Sequence, residues 1–217
     1  MIDSAKRFGV VDIGTLKVKF QVVEKKASGK LRTVYQSNNL TCLGCYMGEN
    51  NNRPKDEYLQ KTLIELARCK KLLEKYRVSK VRVVSTHALR EMGVVGDEVA
   101  KLIKDKVGLK VEIISQKEEA ELFYQAVLSD FEIQSDDVIA DVGWGSVRIL
   151  IGNKNSLKES FLLKPGTSTL WDKFTPKHKE MDFPNRGEIM QMKNYILREL
   201  HPVPTGLKAP IIYGASC

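Results

Sequence analysis

Several things are scarce in this chain, and each scarcity narrows the reading. No apolar run in its 217 residues approaches the ~20 needed to cross a bilayer, which excludes a helical membrane span. The opening Met1-Ile2-Asp3-Ser4-Ala5-Lys6-Arg7 has no apolar stretch after its charges, so it does not read as a secretory signal. Cysteine is limited to four residues, Cys42, Cys45, Cys69 and Cys217. With nothing to suggest secretion, these are expected to be reduced thiols in a cytoplasmic protein. Cys42-Leu43-Gly44-Cys45 is a C-x-x-C pair, but a structural zinc needs about four ligands and no second pair follows. The three histidines, His87, His178 and His201, fall in separate predicted elements and complete no set. The βαβ context of a redox C-x-x-C is missing too.

Charge and apolar content are what the chain does have. A hydrophobic fraction of 42% is enough for real cores, and 29% charged residues suit a soluble surface. The length is long for one domain and short for two. Net charge is +8, and much of it is local. Lys61, Arg68, Lys70, Lys71, Lys75, Arg77, Lys80 and Arg82 stand against Glu65 and Glu74 alone. Such a run is either a solvated helix face or an electrostatic track for a polyanion. It is not interleaved with a series of aromatic rings, so it offers no base-stacking platform for nucleic acid.

The most informative pattern is a phrase used twice. Val11-Asp12-Ile13-Gly14-Thr15 returns as Ala140-Asp141-Val142-Gly143-Trp144-Gly145-Ser146. Each copy has apolar residues before Asp-x-Gly, small or hydroxyl residues after it, and a second β-rich run beyond. That predicts a strand–tight turn–strand unit. Glycine lets the turn backbone approach a ligand, and turn N–H groups can converge on an anion. Asp-x-Gly alone is common at plain hairpins. Two copies, one small domain apart, predict a phosphate clamp formed by two related halves.

Periodicity supplies the frame. Strands are predicted over 8–13, 18–24 and 31–37, then a helix opened by Pro54 and running to about 76. Cys69 falls on the apolar stripe of that helix. A strand over 80–85 leads into a loop or helix start at 86–91, a helix over 96–107, a strand over 109–115 and a helix over 118–128. The second half predicts strands over 137–142, 147–152 and 158–164, helices over 168–174 and 185–200, and a strand over 209–213. The fold class is therefore α/β, with mixed sheets flanked by helices.

Six blocks in this order resemble the exopolyphosphatase / guanosine pentaphosphate phosphohydrolase family. They are Asp12-Ile13-Gly14; Ser85-Thr86-His87-Ala88-Leu89-Arg90-Glu91; Ile114-Ser115-Gln116-Lys117-Glu118-Glu119-Ala120; Asp141-Val142-Gly143-Trp144-Gly145-Ser146; Leu163-Lys164-Pro165-Gly166-Thr167; and Tyr213-Gly214-Ala215-Ser216, which falls where the family places a turn. The resemblance implies two ribonuclease-H-like (actin-like ATPase) domains, expected over 1–130 and 131–217, the second truncated at its C-terminus. It implies hydrolysis of the terminal phosphoanhydride of polyphosphate or pppGpp, with a divalent metal, Mg²⁺ being the expected ion. Polyphosphate or guanosine polyphosphate is then the expected partner, with no membrane, no specific nucleic acid, and a homodimer as a candidate assembly.

By the same resemblance Glu119 activates the attacking water, and Asp141 holds metal or water opposite it. Asp12, Gly14, Thr15, Arg90, Gly143, Gly145, Ser146 and Arg148 are the candidate phosphate-binding residues, the arginines through a planar fork of donors. Glu118 and Glu121 are ordinary first-turn carboxylates complementing a helix dipole. Three departures stand out. Leu16-Lys17 follows Thr15 where the family has Asn-Ser; Leu16 brings no donor, while Lys17 either meets phosphate or faces solvent. Trp144 replaces a glycine, as packing or as a stacking surface for a base. Arg148 replaces a glutamate, a change of two charge units that favours phosphate and disfavours Mg²⁺.

Two functions from different classes follow. One is a phosphoanhydride hydrolase of the exopolyphosphatase type; the other is a degenerate member that binds polyphosphate or a nucleotide without cleaving it. Actin-like ATP hydrolysis or sugar phosphorylation shares the fold but not the Arg90 and Glu118-Glu119-Ala120 blocks.

Overall fold

A computed structural model describes residues 6–45, 52–133, 137–164, 166–175 and 183–204, and the backbone of 212–216. The chain divides into two compact units, Met1–Ser115 and Gln116–Cys217.

The first unit is a five-stranded mixed sheet. β1 (Arg7–Ile13), β2 (Lys17–Lys25) and β3 (Leu31–Leu40) form an antiparallel meander. β4 (Lys80–Ser85) then returns parallel to β1, and β5 (Glu112–Ile113) parallel to β4, giving the order β3-β2-β1-β4-β5. Alternation decides which face is buried: Val11 and Ile13 of β1, with Phe20 and Val22 of β2, are fully or almost fully enclosed. They meet the apolar faces of α1 (Asp56–Lys75) and α3 (Val94–Val107) through Leu66, Cys69, Leu73, Ile103 and Val107. Burying a side chain of this size contributes about 2 kcal/mol. Short α2 (His87–Met92) links β4 to α3.

Local expectations hold with shifted edges. α1 starts at Asp56 rather than at Pro54, because Lys55 is extended and Asp56 and Glu57 supply the first-turn carboxylates. The 86–91 segment is α2, and α3 stops at Gly108, whose φ of 77° is the left-handed conformation glycine tolerates. The strand predicted over 109–115 shrinks to two residues. It is an edge strand, and its single neighbour β4 ends at Ser85, so only Val84↔Glu112 and Ser85↔Ile113 pair.

The second unit repeats the plan. β6 (Asp137–Val142), β7 (Val147–Asn153) and β8 (Ser156–Leu163) meander, and β9 (Ile212–Ser216) pairs parallel with β6, as β4 does with β1. The strand predicted over 209–213 is thus displaced toward Ser216, and residues 209–211 lie outside the described residues. The backbone of Tyr213–Ser216 is ladder rather than turn. α4 (Gln116–Asp130) packs here: Ala120 and Tyr124 join Ile133, Ile139 and Leu150 in one core. The unit boundary therefore precedes α4, whereas the sequence reading put it at 130, since the apolar face of α4 belongs to the second sheet. α5 (Thr167–Phe174) and α6 (Arg186–Glu199) complete the unit, with Asn185 and Glu188 forming the capping box of α6. Pro165 and His178 lie outside the described residues. No described helix is long and apolar enough to cross a membrane.

Candidate functional site

The repeated phrase builds the same object twice. In the first unit the Gly14 N–H donates to the Lys17 carbonyl at 3.0 Å; in the second the Gly143 N–H donates to the Ser146 carbonyl at 2.9 Å. Ile13 faces Val18 and Val142 faces Val147 at the mouth of the turn. Both Asp-x-Gly segments are tight hairpins of equal length, and each aspartate sits two residues before its glycine.

Each hairpin is locked from behind. In the first unit, Thr41 and Cys42 donate their N–H groups to the Leu16 carbonyl, and Gly44 donates to that of Thr15. Gly44 has no room for a side chain: a Cβ would lie 2.9 Å from Thr15 Cγ2. The C-x-x-C segment thus serves as a structural brace. Cys42 and Cys45 are not joined in a disulfide, Cys45 is buried, and among the described residues no group of three or more His, Cys, Asp or Glu could hold a metal. In the second unit Thr167 donates to the Gly143 carbonyl at 3.1 Å and Ser168 to that of Trp144 at 2.9 Å. Gly166 lies against the backbone of Trp144, Gly145 and Ser146, where any Cβ would overlap. That contact explains why the chain needs glycine there, and it assigns Gly166 a structural part the motif alone did not reveal.

The carboxylates converge within the second unit. Glu119 lies in the first turn of α4 and Asp141 near the end of β6. Between them stands Arg148, directly opposite Asp141 in the ladder. Its Nη1 donates to Asp141 Oδ2 at 3.4 Å, and its Nη2 pairs with Glu119 Oε1. The three side chains are 8%, 13% and 15% exposed, so this is a buried ion triad. The guanidinium also lies over the ring of Phe123, one helical turn beyond Glu119, with Cζ 5.6 Å from its centroid. Phe123 was not anticipated, although its i+4 spacing from Glu119 was the available signal.

Other candidates fall as follows. Glu118 and Glu121 take no part in the triad, as expected of ordinary first-turn carboxylates. Arg90 donates to the Ile114 carbonyl at 2.9 Å, tying α2 to the end of the first sheet. Ser85 is fully buried and donates to the Ile13 carbonyl, fixing the base of the first hairpin. Thr15 is buried, and Trp144 is 39% exposed on its turn. Four of the eight cations in the basic run over 61–82 are engaged within their own unit: Arg68 pairs with Glu65, Arg82 with Glu112, Lys61 approaches Glu57, and Lys70 donates to the Val107 carbonyl.

The family model of the Ppx/GppA phosphatase family matches residues 22–211. The chain belongs to that family. A crystal structure of the Aquifex aeolicus Ppx/GppA member is 26% identical with a TM-score of 0.77, covering 96% of this chain and 65% of that one. An exopolyphosphatase from Cytophaga hutchinsonii is 24% identical with a TM-score of 0.86, over 96% of this chain and 66% of that one, and shows the shared fold. A bifunctional 3-dehydroquinate synthase/phosphatase of Fusobacterium nucleatum is 24% identical over 198 residues, 88% of this chain and 29% of its own length. The chain therefore spans about two thirds of those solved relatives and under a third of the curated one. Its fold is the actin-like one of this family.

A divalent ion, which the Ppx/GppA family implies, does not fit the acids as they stand. An ion at Asp141 and Glu119 needs carboxylate oxygens open to it, at about 2.0–2.1 Å for Mg²⁺. Here an arginine, which has donors only, occupies the space between them.

Proposed function

We propose that this chain acts on a terminal phosphate of a phosphoanhydride ligand, polyphosphate or a guanosine polyphosphate, as an exopolyphosphatase-type phosphohydrolase. The observation that carries the reading is the meeting of Glu119 and Asp141 in one buried cluster, with Asp141 leading directly into the glycine turn Gly143–Ser146. In this reading Gly145 and Ser146 provide backbone and hydroxyl donors to phosphate oxygens, Gly143, whose N–H closes the hairpin on the Ser146 carbonyl, shapes the turn they sit on, and Glu119 orients and deprotonates the attacking water. Asp12, Gly14, Thr15 and Arg90 form the matching phosphate-binding set of the first unit. Phosphoryl transfer relies on positioning and charge stabilisation, which a rigid turn braced by Gly166 supplies. In the same reading Trp144, 39% exposed on its turn, offers a ring on which a guanine would stack. The test is phosphate release from polyphosphate and from pppGpp. Glu119→Gln should reduce it by about 100-fold or more, and equal rates in the two proteins would refute the role of Glu119.

A second reading is favoured by Arg148. Its guanidinium pairs with the Glu119 carboxylate that would have to take the proton of the attacking water, so in this reading the chain binds the phosphate chain without cleaving it. Salt-sensitive binding with no phosphate release from either substrate is its signature.

A further inference from the structure

We propose that Arg148 is the resident cation of this site: its guanidinium takes the place a divalent metal would need, and the chain holds phosphate ligands without a metal at Glu119 and Asp141. The inference deepens the function proposed above by naming what neutralises the acids, and it does not depend on turnover.

Three observations carry it. The guanidinium bridges both carboxylates, one through each terminal nitrogen, and all three groups are largely buried. Charge fits this assignment: two carboxylates and one guanidinium sum to −1, so little field remains to pull a dication out of water. With glutamate at position 148 the sum would be −3, the kind of cluster that requires a cation. Finally, the first unit repeats the ladder register. Asp12 stands opposite Lys19 in the β1–β2 ladder, as Asp141 stands opposite Arg148 in the β6–β7 ladder. Residues directly opposite on antiparallel strands share a face, and Asp12 and Lys19 line one shallow groove. Both basic residues lie seven positions after their aspartate. Each hairpin thus places a basic residue across the ladder from its aspartate.

Removing Arg148 leaves two buried carboxylates uncompensated, a state a divalent ion can relieve. Mn²⁺ binding, followed by calorimetry and by the paramagnetic signal of the free ion after EDTA treatment and desalting, is the direct test. The parent chain should take up no Mn²⁺ that Glu119→Gln or Asp141→Asn abolishes. Arg148→Gln and Arg148→Glu should bind one ion roughly tenfold or more tightly than any site in the parent, and should lose it when Asp141→Asn is added. Their melting temperatures should fall relative to the parent and recover with Mn²⁺. Arg148→Lys, which keeps a charge but not the bridging fork, should still exclude the ion. Two outcomes overturn the proposal. One is stoichiometric Mn²⁺ binding by the parent that Asp141→Asn removes. The other is folded Arg148→Gln and Arg148→Glu proteins that gain no ion. Tripolyphosphate binding by the parent in EDTA is the companion measurement: retention supports metal-free recognition. Loss in EDTA with recovery in Mg²⁺ overturns it while leaving the phosphate-ligand reading standing. Absence of binding under both conditions overturns both.

Discussion

Single residues in this chain are often fixed by the charge they must meet. Glu65 on α1 shows the rule away from the candidate site. Burial alone would push its carboxyl up, but Arg68 and Asn39 donate to it and the net effect holds it below the usual range. Arg68 continues to the Tyr35 hydroxyl at 3.0 Å and to Ser37 Oγ at 2.8 Å, cross-linking α1 to β3 and pulling the Tyr35 phenol downward. Cys69 beside it is pushed up to about 12 by burial and by Glu65, so it stays a thiol at neutral pH. Because the native Glu65 carboxyl is the stronger acid, the unfolded chain binds its proton first. The stabilisation is complete above the unfolded glutamate value of about 4.3 and is lost as pH falls through the lowered native value. Urea midpoints followed downward from neutral pH should therefore drop less steeply below about pH 4 in Glu65→Gln than in the parent. Parallel slopes would show that Glu65 adds nothing to the acid limb.

At the scale of elements, what matters is how a turn is held. The Gly143–Ser146 hairpin has one internal hydrogen bond, and its remaining rigidity comes from the start of α5. Gly166→Ala should be costly for this reason, since the added methyl meets main chain rather than a flexible side chain. A loss of about 1–3 kcal/mol is the expected scale for such overpacking. Denaturant unfolding would report it, and phosphate-ligand affinity should fall with it. Gly29, whose φ is 82° and whose Cβ meets nothing within 4 Å, provides the control for backbone strain alone. An unaffected Gly166→Ala protein would remove the brace from the account.

For the whole molecule, net charge is the property that survives averaging. The chain carries +8, yet much of its densest basic run is spent on internal partners. On the proposed function, attraction for a polyanion would come from the diffuse field of the net charge more than from a track along α1. Such a field is screened by salt, because the Debye length falls from about 30 Å at 0.01 M to about 8 Å at 0.15 M. Polyphosphate affinity should weaken steadily across that interval, and Lys71→Glu with Lys75→Glu, both exposed, should weaken it only in proportion to the charge removed. An affinity independent of salt would mean that the field contributes nothing.

Much of this was legible from residues alone. Alternation along β1, β2, β6 and β7, the stripe on α1 that buries Cys69, and the doubled Asp-x-Gly phrase determined the elements, the two equal hairpins and the family, because each is a local pattern with a fixed period or turn length. The extent of β5, the attachment of α4 to the second sheet and the contact of Gly166 with the 144–146 backbone were decided by neighbours distant in sequence. So was the destination of Arg148. The sequence showed a cation where the resemblance implies an acid. Only the ladder register and the approach of α4 turned that cation onto both Asp141 and Glu119, since ion pairing in a buried site depends on distances that no local pattern specifies.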